Sequence, residues 1–131
     1  MTVEQIKSRV MFQTNNDDED VGDYLPHLVD YINDGYDQLM NAWHGTHVQS
    51  EDRLEIDADE PELPEWTHIA LADYATYLVY RNGNPSKQSR GMAFYSAFRE
   101  VLSRIHGEGG AEGVNEDGTR KQIRFFHHIP R

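Results

Sequence analysis

The side chains here with chemical potential are carboxylates and imidazoles, since the chain holds 23 Asp and Glu, seven His and no Cys. Without a thiol, disulfides, thiolate metal sites and a Cys nucleophile are excluded. The densest acidic group, Asn15-Asn16-Asp17-Asp18-Glu19-Asp20, invites a calcium loop. Such a loop needs acids at its first, third and fifth positions, Gly at the sixth and a bidentate Glu at the twelfth. Starting from Asp18 and Asp20, or from Asp17 and Glu19, never places Gly at the sixth position with acids at the other three. The Glu at the twelfth is missing too. The histidines do no better. His44 and His47 stand three apart with the helix breaker Gly45 between them, and no His-Glu-x-x-His is present. His127 and His128 are adjacent, so on a strand they point to opposite faces. A metal site needs three or four convergent ligands, and scattered imidazoles do not supply them.

Asp73 is the one carboxylate singled out by context. It falls on the face of Trp66, Ile69, Ala70 and Tyr77, in a helix that should be largely buried. A buried carboxylate must be paired or hydrogen-bonded, and a Tyr hydroxyl, Arg90 or Arg99 is the expected partner. No Gly-x-Ser-x-Gly occurs. Gly107-Glu-Gly-Gly follows a helix rather than joining a strand to one, so it fails as a phosphate cradle. These readings predict a protein that is not an enzyme, with no catalytic residue, metal or cofactor.

The elements that would carry these side chains are helical. The chain of 131 residues suits one compact domain. Thr2 and Gln5 have capping-box spacing, and Val3, Ile6 and Val10 share a face, which predicts a helix over 3–13. The second helix carries the stripe Leu25, Leu28, Val29, Ile32, Tyr36, Leu39, Met40 and Trp43. Asp23 is its expected cap, Pro26 sits in its first turn and Gly45 is its left-handed stop. A long acidic connection follows over 46–63, where the alternation around Leu54 and Ile56 suggests a strand at 53–57. A third helix should run from about Pro64 to Arg81, apolar around much of its circumference and so central. Asn84 and Pro85 then start a fourth at once, as cap and first residue. So short a joint makes these two antiparallel neighbours. Phe94, Tyr95, Phe98, Val101, Leu102 and Ile105 form the fourth helix's stripe, and Gly107 closes it.

The fold class that results is all-α, a four-helix bundle-like domain over 1–106 with a long acidic loop. Residues 107–131 form a second region. Gly107 to Gly118 holds five glycines and reads as a flexible linker. A strand-like, basic and aromatic arm over 122–129 follows it. Its alternating residues suit strand addition to a partner. The expected partner-binding residues are Arg120, Lys121, Ile123, Arg124, Phe125, Phe126 and Ile129.

Charge is divided unevenly. Residues 1–65 hold 17 acids against Lys7, Arg9 and Arg53, whereas residues 66–131 hold six acids and nine bases. A formal charge of −11 repels phosphate backbones, so duplex wrapping is not expected. A basic partner, mimicry of nucleic acid, or a passage through which DNA slides without sticking all remain compatible. No apolar run is long enough to cross a bilayer, and Met-Thr-Val-Glu-Gln-Ile-Lys has no apolar signal-peptide core, so a non-secreted soluble protein is expected.

The order of these features resembles a known family. It is carried by the short capped helix, the acidic turn, Leu-Val-Asp-Tyr-Ile-Asn-Asp-Gly-Tyr-Asp-Gln-Leu at 28–39, Leu-Pro-Glu-Trp at 63–66 and the Tyr/Ala-rich helix at 70–80. Over roughly residues 2–106 the chain resembles the head-to-tail connector, or adaptor, proteins of tailed bacteriophages. The resemblance implies a helical subunit that assembles with copies of itself into a ring, typically twelve-fold, beneath the portal protein. It implies further contact with tail, stopper or nozzle proteins, and DNA that passes the channel without specific binding. No membrane is involved, and the location would be the virion neck after assembly in the host cytoplasm. The family pattern has no catalytic residues to transfer. An acidic DNA mimic that inhibits a nucleic-acid-binding protein is the rival expectation, weakened by the clustering of the acids in two loops and one helix.

Overall fold

The computed structural model describes residues 1–14, 24–45 and 53–113. Helix α1 spans Val3–Gln13. The Thr2 hydroxyl accepts the Gln5 amide at 3.2 Å while the Gln5 side chain accepts the Thr2 amide at 2.9 Å. Two amides that lack an intrahelical partner are thereby satisfied. Helix α2 spans Leu28–His44 and is entered through a 3₁₀ turn at Leu25–His27. Pro26 sits in that turn rather than in the α-helix, and the expected cap Asp23 lies outside the described residues. Gly45 ends α2 at φ 71°, the left-handed conformation that a β-carbon disfavours.

Helix α3 spans His68–Arg81 behind a second 3₁₀ turn at Glu65–Thr67, so Pro64 stands ahead of the turn instead of inside the helix. Helix α4 spans Pro85–Gly107, with the Asn84 carboxamide accepting the Lys87 amide at 2.9 Å. α3 is central, because α1, α2 and α4 all pack on it. Its Ala70, Ala72 and Ala75 are fully buried, and side chains this small let the neighbouring helices approach. α4 buries Gly91, Phe98 and Ile105, one residue every two turns. Phe94, Tyr95, Val101 and Leu102 are only half-buried, so its covered stripe is narrower than its sequence suggests.

The segment at 53–57 is not a strand, and no strand occurs among the described residues. The reason lies in where its main chain bonds. The Asn33 carboxamide accepts the Leu54 amide and donates to the Leu54 carbonyl, each at 2.8 Å. The next two amides, of Glu55 and Ile56, go to one oxygen of Asp59 at 2.8 and 3.0 Å. Those amides hold the Asp59 carboxyl below the ordinary carboxylate value. Side chains thus take the groups that a partner strand would use. Farther along, the Glu62 amide donates to the Tyr36 hydroxyl at 2.9 Å and the His68 ring pairs with the Leu63 carbonyl at 2.8 Å. The carbonyls of Asp57 and Asp59 receive the first amides of α1, at 3.1 and 2.9 Å. The acidic connection is therefore a wedge bonded to α1, α2 and α3.

The expected linker also begins differently. Gly110–Gly113 forms a 3₁₀ turn against α2. Gly110 is buried at φ +55°, and a β-carbon there would lie 2.4 Å from the Trp43 carbonyl oxygen. Only a glycine allows that approach, so residues 110–113 pack with the helical body. The expected strand at 122–129 lies outside the described residues. No described helix is long and apolar enough to cross a membrane.

Candidate interaction surface

Two glycines set the spacing of the surface. At Gly35 on α2, a β-carbon would come within 3.1 Å of the Tyr74 β-carbon, and at Gly91 on α4 it would come equally close to Tyr80. α2 and α4 can thus flank α3 with tyrosines filling the space between them. The Tyr74 ring lies 4.6 Å from Phe98, and Tyr77 stacks on Tyr95 at 4.6 Å with the ring planes 30° apart. Tyr74 and Tyr77 lie 5.9 Å apart. The result is a continuous aromatic floor whose Tyr74, Tyr77 and Tyr95 are half-buried. Tyrosine suits such a place because the ring packs while the hydroxyl stays near water.

The floor has charged edges. On the α2 side stand Asp30, Asp34 and Asp37, with Arg53 ion-paired to Asp30. Burial pushes the Asp34 carboxyl above the ordinary carboxylate value; Asp37 and Asp30 add to the rise, and Arg53 and Arg81 oppose it. Burial also pushes the Tyr74 phenol up, against a hydrogen bond with Gln38. On the α4 side the Arg99 guanidinium lies 5.9 Å from the Tyr95 ring, a cation–π distance. Two open grooves run along this side and share Met92, which is 50% exposed. One, of about 460 Å³, is lined by Tyr77, Arg81, Pro85, Gln88, Ser89 and Met92. The other, of about 550 Å³, continues over Tyr95, Ser96, Arg99, Glu100 and Ser103.

Asp73 is buried but faces α1, not α4. It accepts a hydrogen bond from the Gln13 carboxamide at 3.0 Å, and the Gln13 oxygen in turn accepts from Thr76 at 2.7 Å. The expected partners, a Tyr hydroxyl, Arg90 or Arg99, are not those it uses, because α1 covers that face of α3. Burial raises the Asp73 carboxyl above the ordinary value, opposed by the Gln13 bond and then by the Arg9 charge. The Asp73 carboxyl is thus hydrogen-bonded where α1 meets α3, as a buried polar group must be. No set of three or more His, Asp or Glu side chains converges as a metal site among the described residues.

Arg120, Lys121, Ile123, Arg124, Phe125, Phe126 and Ile129 all lie outside the described residues. The surface that is described had a faint signal in the sequence. Tyr74, Tyr77 and Tyr95 sit on apolar stripes where a fully buried core favours Leu or Phe, and their hydroxyls mark an edge. No family model, curated protein or solved structure matches the chain.

Proposed function

We propose that the chain is a structural, non-enzymatic assembly protein, a head-to-tail connector of a tailed bacteriophage that sits as a ring between the portal protein and the tail. The observation that carries this reading is the half-buried tyrosine floor with Met92 and Arg99 on its rim. Tyr, Met and Arg are the residue types enriched where proteins meet, and stacked aromatics in a shallow trough make good anchors. A surface of this kind needs a macromolecular partner to cover it, whereas a small-molecule site is usually a deeper and more enclosed pocket.

The charge supports the same reading. The −11 chain discourages DNA from adhering as it passes, while the basic arm residues Arg120, Lys121 and Arg124 suit an acidic docking site on the portal or on a neighbouring copy. Ile123, Phe125, Phe126 and Ile129 supply the apolar part of that grip. Tail, stopper or nozzle proteins would then meet the opposite end of the ring. The protein would occupy the virion neck after assembly in the host cytoplasm.

The test mixes the full-length protein with its portal and measures the mass of the product by size-exclusion chromatography with light scattering. A complex heavier than the portal, holding multiple copies of the chain, is the expected result. Separate elution of the two proteins at every ratio overturns the reading.

A further inference from the structure

We infer that the outer face of α4 receives the α2 edge of a second copy, so that copies join side by side, head to tail, with their helices along the axis of the assembly. The inference rests on the connector reading for its setting and takes its contact surfaces from the structure.

Level is the first argument. Gly35 lies against Tyr74, and the Tyr74 ring lies 4.6 Å from Phe98. Asp34 precedes Gly35, Asp37 follows it by two residues, and Arg99 follows Phe98. Asp34, Asp37 and Arg99 therefore stand within about one helical turn of each other along the bundle, on opposite edges of the tyrosine floor. A rotation about an axis parallel to the helices preserves height. It brings Asp34 and Asp37 of one copy toward Arg99 of the next with no more than about a turn of sliding along the bundle.

Charge complementarity is the second argument. α2 carries Asp30, Asp34 and Asp37 with no Lys or Arg; Arg53 is committed to Asp30, and Arg81 on α3 sets one positive charge near Asp34. α4 carries Lys87, Arg90 and Arg99 against Glu100, while its Arg104 is committed to Glu108 and the Trp66 ring. Among the described residues no ion pair holds Arg99 within its own copy, and its contact is the Tyr95 ring. The exposed Met92 and the groove over Ser96 and Ser103 give this face an apolar and small-residue centre. Opposite edges that complement each other, rather than one patch that complements itself, generate a heterologous contact, which closes into a ring when the rotation allows.

The test is sedimentation velocity of the full-length protein over rising concentration, at low and at high salt. Salt-weakened association that continues past two copies is expected. Arg99→Glu and Asp37→Lys should each raise the dissociation constant by roughly tenfold, since each places like charges together. The chain carrying both reversals should recover to within a few-fold of the starting protein. Four results overturn the inference: a monomer at every concentration, association that stops at a dimer, indifference to both reversals, or no recovery in the double reversal. Capture of a monomer by the portal would leave the connector reading standing while removing this contact. Intact self-association without portal capture would do the reverse.

Discussion

The carboxamide of Asn33 grips Leu54 by both its amide and its carbonyl, at 2.8 Å each, inside the core. One side chain on α2 thereby does what a neighbouring strand would do for an extended segment. The same donor nitrogen also reaches the Val29 carbonyl at 3.0 Å. Asn33 is fully buried and Leu54 nearly so, and a buried main-chain group left without a partner costs about 1–3 kcal/mol.

Asn33→Ala should therefore lower stability by about 3 kcal/mol in urea denaturation, since it orphans two such groups at once. Helix content by circular dichroism should change little, because α2 keeps its own bonds. Trypsin should cut after Arg53 much faster than in the parent protein. Unaltered cleavage would mean that the wedge is held by its other contacts alone.

Asp73 gives a pH dependence of definite sign. Its carboxyl is raised above the ordinary value of 3.8 by burial, with Gln13 and Arg9 only partly opposing. The folded state then holds the proton more tightly than the unfolded chain. This group's contribution favours folding most at acid pH, and it is lost as pH climbs from the unfolded value through the raised folded one. Asp73→Asn keeps an acceptor for Gln13 and removes the buried charge. It should raise the melting temperature at neutral pH and leave it nearly unchanged at pH values below the unfolded carboxyl's. Equal shifts at both ends of a pH series of thermal melts would assign the effect to something other than this carboxyl.

Much of the helical frame was legible because its signals are local. The capping box of Thr2 and Gln5, the left-handed stop at Gly45 and the Asn84-Pro85 start each act within one turn, and each occurs where the residues imply. What could not be read depends on pairs distant in sequence. Leu54 and Ile56 alternate like strand residues, yet Leu54 is buried and Ile56 is 62% exposed because the chain turns at 56. Nothing local marks Asn33 as the group that replaces a partner strand. Asp73 was recognisable as a buried carboxylate, but its partner Gln13 lies 60 residues away on a helix whose docking face only packing decides. The tyrosine floor is only faintly marked for the opposite reason: its residues lie on apolar stripes, where helical periodicity alone implies core.

Gly110 tests where the helical body ends. Its positive φ and the 2.4 Å approach to the Trp43 carbonyl exclude a side chain. Gly110→Ala should cost about 1–3 kcal/mol, the usual range for forcing a strained backbone conformation, read as a shift in the urea midpoint at constant slope. A chain truncated after residue 107 should melt at a lower midpoint than one truncated after residue 113. If both truncations behave alike, the turn at 110–113 contributes nothing to the body.

Tyr77 separates binding from folding. It stacks on Tyr95 while remaining half-buried, so Tyr77→Ala removes an aromatic contact worth about 1 kcal/mol beyond its buried area. If the tyrosine floor is the docking face for the portal, the same change should weaken portal binding by roughly thirtyfold, the effect of losing an interface anchor of about 2 kcal/mol. Tyr77→Phe keeps the ring and should retain most of the affinity. Asn33→Ala supplies the control, being destabilised at a side chain that faces Leu54 rather than the tyrosine floor, and it should bind normally at temperatures where it is folded. Titration calorimetry with the portal distinguishes the cases. Normal binding by Tyr77→Ala would move the docking site off this surface and leave the basic, aromatic segment at 120–129 as the place to look.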